Sequence, residues 1–321
     1  MTRLVEVPSQ FDDRSFDQFA AAYAQATSGG GGERLLFDAH AAEWASPYGL
    51  VGLLAAGEAA GGRPLLTVPS SAEVVSYWAR AGFFREAADL FEIHGKVPKT
   101  KPATESEVLL PVTPVRAAED VHVVVSTIQQ RASAILAKEL GLDPKATMGF
   151  AMALSEACQN IVEHAGSGGW VAVQAYNWRR KLARRVVVIA VADAGVGFRH
   201  SLEPSQAKRF GDRWGDAAAL EAALIQGVSR FRDPGRGQGL AGIRRYLARW
   251  EGKVAIRSGT ARIAIVPRWD DDVPLRDGLP AFPGSQVLLI IPEQGSAQAG
   301  FNTSRSTRSC SSRWPGSMPT S

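Results

Sequence analysis

The sequence contains little cysteine and no long apolar run. Only Cys158 and Cys310 occur among 321 residues, too few for a disulfide framework or a cysteine-based metal cluster, and both are expected to be free thiols. No apolar stretch approaches the ~20 residues that span a bilayer, and the N-terminus lacks the basic-then-apolar pattern of a signal peptide. These absences predict a cytoplasmic protein with no membrane segment.

The sequence also lacks a strong charge of either sign. The net charge is +4, and three of the positive charges (Arg305, Arg308 and Arg313) follow the last acidic residue, Glu293. The remaining chain is therefore nearly neutral, which argues against nucleic-acid binding. A Gly-x₄-Gly-Lys-Ser/Thr motif is absent as well, which argues against a P-loop enzyme.

Residues 1–95 show alternating strand and helix patterns. Short apolar runs predict strands at 3–7, 35–38 and 64–68, and helical spacing of apolar residues predicts helices at 11–26, 47–60 and 72–81. This alternation predicts an α/β domain with helices packed on a sheet. The chain length favours two domains, each with its own core.

Three features of this first domain resemble the STAS family, the fold of anti-anti-sigma factors. They are the strand ending in Asp38, the run from Trp44 to Leu50 that leads into a helix of small residues, and the run from Tyr77 to Phe84. In phosphorylatable members a Ser or Thr lies one or two residues before the glycine that starts the helix. Tyr48 and Pro47 occupy those positions here and Ser46 is displaced by one more, so the resemblance implies either a docking or dimerisation domain or a phosphoacceptor at Ser46.

The rest of the chain divides by composition. Residues 96–105 contain two prolines and three lysines and predict a linker. Residues 293–321 are rich in Ser, Gly, Thr and Arg and predict a disordered tail. Between them, residues 106–292 predict a second α/β (α+β) domain. Its predicted strands are 108–115, 170–178, 186–192, 254–257, 262–266 and 286–291, its predicted helices include 119–140, 216–227 and 240–250, and the polar stretch 199–215 predicts a mobile loop.

A polar helix face carries two of the candidate site residues. Asp143-Pro144 provides a side-chain cap followed by proline at the first helical position. In the helix that follows, Glu156 and Asn160 are four residues apart and therefore share a face, opposite an apolar side that includes Cys158. A carboxylate and a carboxamide one turn apart can hold a water molecule and a divalent ion.

Two glycine-containing segments complete the candidate site. The apolar run 186–192 predicts a strand buried on both faces, and it ends directly in Asp193, followed by Gly195 and Gly197. These glycines permit positive φ angles and close approach of a flat ligand, and Asp193 can accept a hydrogen bond from a ligand amino group. The second segment contains Gly235, Gly237, Gly239 and Leu240 and predicts a hinged lid before a helix.

In this order and spacing, the three segments resemble the GHKL ATPase superfamily, and in particular its anti-sigma-factor serine kinases. The resemblance implies a Bergerat-type two-layer sandwich with a mixed sheet and helices on one face, binding ATP and Mg²⁺. Asn160 would bind Mg²⁺, Glu156 would act as general base, and Asp193 with Gly195 and Gly197 would bind adenine. The main-chain N–H groups of Gly237, Gly239 and Leu240, hinged at Gly235, would face the phosphates.

Sequence context separates the competing interpretations of these segments. The string from Gly237 to Gly242 matches a dinucleotide fingerprint, but no strand precedes it. No histidine lies in the setting that a sensor histidine kinase requires. The resulting hypothesis is an ATP-dependent regulatory serine/threonine kinase or ATPase with a STAS-type or sigma-factor-like partner. A non-catalytic ATP-sensing module and a nucleic-acid-associated ATPase are the alternatives, and a homodimer is left open.

Overall fold

The computed structural model describes residues 2–29, 33–98, 109–116, 126, 155, 158, 167–178, 182–228, 239–248 and 250–293. Glu156, Asn160, Gly235 and Gly237 lie outside these residues. So do the predicted helix at 119–140, apart from Ser126, most of the predicted linker, and residues 294–321 of the predicted tail.

The first part of the chain, the N-terminal unit, is an α/β fold as the alternating pattern predicts. Its strands are β1 (Thr2–Glu6), β2 (Gln10–Phe11), β3 (Arg34–Asp38), β4 (Trp44–Ala45), β5 (Leu65–Thr67) and β6 (Glu92–His94), and its helices are α1 (Phe16–Thr27), α2 (Pro47–Ala60), α3 (Ala72–Arg80) and α4 (Phe83–Leu90). Four strands form a sheet of order β1-β3-β5-β6 in which all neighbours are parallel, while β2 and β4 pair separately.

Helix α2 is apolar on all sides from Pro47 to Gly57, and its surroundings explain why. Ser46 caps it by accepting a hydrogen bond from the Gly49 N–H at 3.2 Å, and Pro47 follows at the first helical position. Every residue from Pro47 to Gly57 is buried. A helix segment without a polar face must be covered on every side. Here α1, α4 and the seven-stranded sheet formed by the later part of the chain cover it.

The second sheet has seven strands in the order β12-β11-β10-β13-β9-β8-β7. Its elements are β7 (Leu109–Val115), β8 (Gly169–Trp178), β9 (Arg184–Asp193), α5 (Gly197–Phe210), a 3₁₀ turn (Gly211–Arg213), α6 (Asp216–Leu224), α7 (Gly239–Ala248), β10 (Lys253–Gly259), β11 (Ala261–Ile265), β12 (Leu275–Arg276) and β13 (Phe282–Pro292). The predicted strands and the helices at 216–227 and 240–250 are confirmed, with boundaries shifted by a few residues.

The expectation of a mixed sheet is wrong for the described strands, because all six neighbouring pairs are antiparallel. The connections give the reason. Strands β8 and β9 form a hairpin, β10 and β11 form another, and β13 returns between β9 and β10. Each strand therefore runs opposite to its neighbours.

The stretch 199–215, predicted as a mobile loop, contains helix α5 and the 3₁₀ turn instead. Its helical period was hidden because Leu202 is the only residue of α5 that is buried. Most of the helix is polar and it contains Pro204. A helix that buries so little apolar surface gives a weak periodic signal.

Each face of the seven-stranded sheet lies against its own apolar core. On β9, Val187, Ile189 and Val191 pack with residues of α5, α6 and α7. The intervening Val188 and Ala190 pack in the core of the N-terminal unit. Strand β9 is thus buried on both sides, as predicted: the described helices of the second domain pack on one face of the sheet, as expected, and the N-terminal unit covers the other.

Buried ion pairs accompany the apolar contacts between the N-terminal unit and the sheet. The Lys253 amine lies 3.1 Å from a carboxylate oxygen of Asp13, and Arg257 Nε lies 3.3 Å from Asp17 Oδ1. Lys253 and Arg257 are each only 1% exposed. The N-terminal unit therefore covers the second face of the seven-stranded sheet, and the domain boundary at 95–106 stays a prediction.

Among the described residues, no helix combines the length and apolar character needed to cross a membrane.

Candidate functional site

Asp193 lies at the C-terminal end of β9, near the middle of the sheet. It is 2% exposed, and its Oδ1 accepts a hydrogen bond from the Gly195 N–H at 2.8 Å. The N–H and the hydroxyl of Ser285 also donate to this carboxylate. Burial raises the pKa of Asp193 to about 7 against these stabilising donors, and the Glu58 carboxylate on α2 raises it further. The site thus contains a buried carboxyl that titrates near neutrality.

The first residues of β13 pack directly against Asp193. Gly284 has a φ of 67°, and a Cβ atom there would clash with the main-chain carbonyl and the carboxylate of Asp193. The pairing of β13 with β10 shifts between Ser258 and Gly259, and Gly284 lies at this irregularity. Only glycine fits this position without displacing Asp193.

The predicted glycine turn adopts a definite conformation. Gly197 has a φ of 72°, as the glycine pattern predicts, and starts helix α5. Gly195 has no positive φ, and its contribution is the N–H that it donates to Asp193. The structure therefore brings the three predicted residues Asp193, Gly195 and Gly197 together in one turn.

A serine from β10 connects this turn to β13. The Ser258 hydroxyl accepts a hydrogen bond from the Phe198 N–H at 3.0 Å and donates one to the Gly284 carbonyl at 3.0 Å. Ser258 is 3% exposed. Sequence reasoning missed Ser258, Gly284 and Ser285 as site residues; the available signal was the pair Gly284-Ser285 directly before an apolar strand.

The lid side of the site is described only from Gly239 onward, where α7 begins. Leu240 is 8% exposed and packs in the same core as Val191 of β9. Asp193 lies two residues after Val191, on the same face of the strand. The described end of the predicted lid and the Asp193 carboxylate are therefore on one side of the sheet. Gly237, which is predicted to face the phosphates, and the lid glycine Gly235 lie outside the described residues.

The helix predicted to carry Glu156 and Asn160 is represented by Ser155 and Cys158. Cys158 is fully buried in the core that contains Val191 and Leu240, and burial raises the pKa of its thiol to about 12. Cys158 thus lies on the same side of the sheet as Asp193. The roles of Glu156 and Asn160 themselves stay predictions.

Magnesium binding also stays a prediction. Within the described ranges, no group of three or more His, Cys, Asp or Glu residues could hold a metal ion. The predicted ligand Asn160 lies outside those ranges, so the structure does not test it.

Ser46, the alternative phosphoacceptor, is 6% exposed and its hydroxyl caps α2. In this arrangement the Ser46 side chain is buried and is not presented to an enzyme.

Comparison with known proteins supports one part of the resemblance. Residues 118–251 match the family model of the histidine kinase-like ATPase domain, a range that covers somewhat less than half of the chain and includes the Asp193 turn and the lid glycines. This match supports an ATP-binding ATPase domain of the GHKL type in this region. A search of curated proteins finds no match to the chain.

Proposed function

We propose that the chain binds ATP beside Asp193 and acts as a Mg²⁺-dependent regulatory serine/threonine kinase or ATPase of the partner-switching type. The observation that carries this proposal is the buried Asp193 carboxylate, held by Gly195 and Ser285 at the end of β9 within the region that matches the ATPase family model.

The part of the site around Asp193 is chemically suited to the adenine base of ATP. An ionised carboxylate accepts hydrogen bonds only, and the adenine amino group is a donor. Because Asp193 is almost fully buried, this hydrogen bond would form in a medium of low dielectric constant, where it is stronger than in water. Guanine presents a carbonyl oxygen instead of the amino group, so an ionised Asp193 would disfavour it.

The binding of the phosphates is inferred mainly from the sequence. Helix α7 begins at Gly239, and the first N–H groups of a helix favour an anion. Asn160 would hold Mg²⁺ against the phosphates. In this proposal Glu156 removes the proton of a partner hydroxyl while the hydroxyl oxygen bonds to the γ-phosphorus and the β–γ anhydride bond breaks, releasing ADP. With water in place of the hydroxyl, the same step is hydrolysis.

The proposed partner is a regulatory protein of the STAS or sigma-factor type, acting in the cytoplasm. The STAS-like character of the N-terminal unit motivates this choice, although that unit is docked on the sheet and its Ser46 is buried. A separate partner would therefore have to supply the accepting hydroxyl.

A second candidate function is an ATP-sensing module that binds ATP without catalysis. It is considered because the proposed catalysis depends on a single residue, Glu156. The test is to incubate the protein with Mg²⁺ and γ-labelled ATP, with and without candidate STAS partners. Label on a partner Ser or Thr that disappears in Glu156→Ala supports the kinase. ATP binding with neither transfer nor hydrolysis supports the sensing module, and no ATP binding at all overturns both.

A further inference from the structure

The hairpin tip between β10 and β11 contacts the starts of two helices. Ser258 accepts from the Phe198 N–H in the first turn of α5, and both the N–H and the hydroxyl of Thr260 donate to the Asp216 carboxylate at the start of α6, each at 2.8 Å. Between them Gly259 has a φ of 58°, and a Cβ there would clash with Asp216. Two neighbouring side chains thus hold two different helices.

Only one of these two contacts leads to Asp193. The Ser258 hydroxyl also donates to the Gly284 carbonyl, and Gly284 packs directly against the Asp193 main chain. Ser285, the next residue, donates to the Asp193 carboxylate. Thr260 and Asp216 have no such link among the described contacts.

The surroundings of Ser258 leave its hydroxyl little freedom. A Cβ at Gly197 would lie 2.6 Å from Ser258 Oγ and 3.2 Å from the Gly284 carbonyl oxygen, so the turn approaches the serine as closely as glycine allows. Ser258 is 3% exposed. Without the hydroxyl, the Phe198 N–H and one side of the Gly284 carbonyl would lose a partner in a buried setting, where water replaces it poorly.

We propose that Ser258 is a positioning residue for base recognition: its hydroxyl fixes the glycine turn against β13 and thereby sets the orientation of the Asp193 carboxylate. Ser258 itself does not contact the nucleotide. This inference rests on the proposed ATP site and adds a residue that determines its selectivity for the base.

The experiment compares the binding of ATP and inosine triphosphate, which has a carbonyl oxygen where adenine has its amino group. For Ser258→Ala we expect ATP affinity to fall about tenfold, the equivalent of one buried hydrogen bond, with little change for inosine triphosphate. The preference for ATP should therefore fall by about the same factor. Ser258→Thr, which keeps a hydroxyl, should restore most of that preference.

Thr260→Ala is the matched control, because it removes a hydroxyl from the same hairpin tip but weakens the contact with α6 instead of the contact with the turn. It should lower the melting temperature and leave the ATP preference unchanged. The pKa of Asp193, followed by carbon NMR of the labelled carboxyl without nucleotide, provides a second readout and should shift in Ser258→Ala only.

The outcomes separate the two proposals. An unchanged ATP preference and an unchanged pKa of Asp193 in folded Ser258→Ala would overturn the positioning role while leaving ATP binding intact. A wild-type protein that binds neither nucleotide would overturn the proposed function. The NMR measurement would then still decide whether Ser258 orients Asp193.

Discussion

Arg257 of the seven-stranded sheet and Asp17 of the N-terminal unit form an ion pair across the junction of the two, with Nε 3.3 Å from Oδ1. The guanidinium also lies over the rings of Phe16 and Phe282, at 5.8 and 5.7 Å from their centroids. Burial lowers the pKa of Arg257, and Tyr48 and Asp17 act in the opposite direction. A cation this deeply buried depends on its partners across the junction.

We therefore expect Asp17→Ala to destabilise the whole protein. The change leaves Arg257 without its carboxylate and also removes a 2.6 Å contact with Arg276. Loss of one member of a buried pair typically costs about 3 kcal/mol or more. Urea unfolding measures the effect.

The matched control is Glu92→Ala, which breaks an exposed pair with Arg34 on the N-terminal unit. Exposed pairs contribute little because water and salt screen them. A similar shift of the urea midpoint in both variants would contradict the importance of the buried junction.

The sequence could predict the strand pattern around the site but not this junction. The run 186–192 showed a strand buried on both faces because every residue in it is apolar, and its end at Asp193 followed directly. Asp17 and Arg257 are 240 residues apart in sequence. In the sequence alone, neither can be distinguished from an ordinary surface charge. Only the tertiary fold shows which distant charges neutralise one another.

The same limit applies to Gly284 and Ser285. Their role depends on β13 pairing with both β9 and β10, and long-range strand order is not encoded in local periodicity. Helix α5 was missed for a local reason, since a helix with a single buried residue shows no apolar stripe.

Removing the N-terminal unit should expose an apolar sheet face. Ala190, Leu288 and Ile290 pack in the core shared with that unit. We expect residues 106–293 alone to aggregate or to bind a hydrophobic dye strongly, because exposed apolar area of this kind promotes association.

Coexpression with residues 1–98 as a separate chain should restore a soluble complex, which gel filtration detects. A monodisperse, cooperatively unfolding 106–293 fragment would show that the N-terminal unit is dispensable for the sheet.

Gly284→Ala and Gly278→Ala form a second matched pair. Both glycines have positive φ, of 67° and 68°, but a Cβ at Gly278 meets no atom within 4 Å. Gly278→Ala should therefore cost about 1 kcal/mol of backbone strain. Gly284→Ala adds a clash with Asp193 and should cost about 3 kcal/mol or more in total.

ATP binding distinguishes the two glycines further. Gly284→Ala should lose it even where the protein remains folded, because Asp193 must move, whereas Gly278→Ala should retain it. Calorimetric titration at a temperature below both melting transitions tests this, and equal binding by the two variants would remove Gly284 from the site.

Ionisation of Asp193 should have opposite effects on stability and on ATP binding: as pH rises, it lowers the stability of the fold and strengthens the binding of ATP. The pKa of its carboxyl is 3.8 in an ordinary, solvent-exposed setting and is raised to about 7 in the folded protein. Between these values the unfolded chain loses the proton and the folded chain keeps it. Stability contributed by this group is therefore fully present below about pH 4 and is lost as pH rises toward 7, by up to about 4 kcal/mol.

Asp193→Asn removes this loss because asparagine carries no charge at any of these pH values. We expect the variant to be more stable than wild type at pH 8, by a few kcal/mol, and nearly equal to it at pH 4, as measured by urea unfolding. The same variant should bind ATP weakly at every pH, since its amide no longer offers the adenine amino group an ionised acceptor.

Wild-type ATP affinity should in turn rise from pH 6 to pH 8 as Asp193 ionises. The ATP phosphates also titrate in this range, so the pH dependence of the residual binding by Asp193→Asn provides the correction. If wild type and Asp193→Asn show the same pH dependence, the carboxylate does not recognise the base. A more stable variant with full ATP affinity would place the adenine elsewhere.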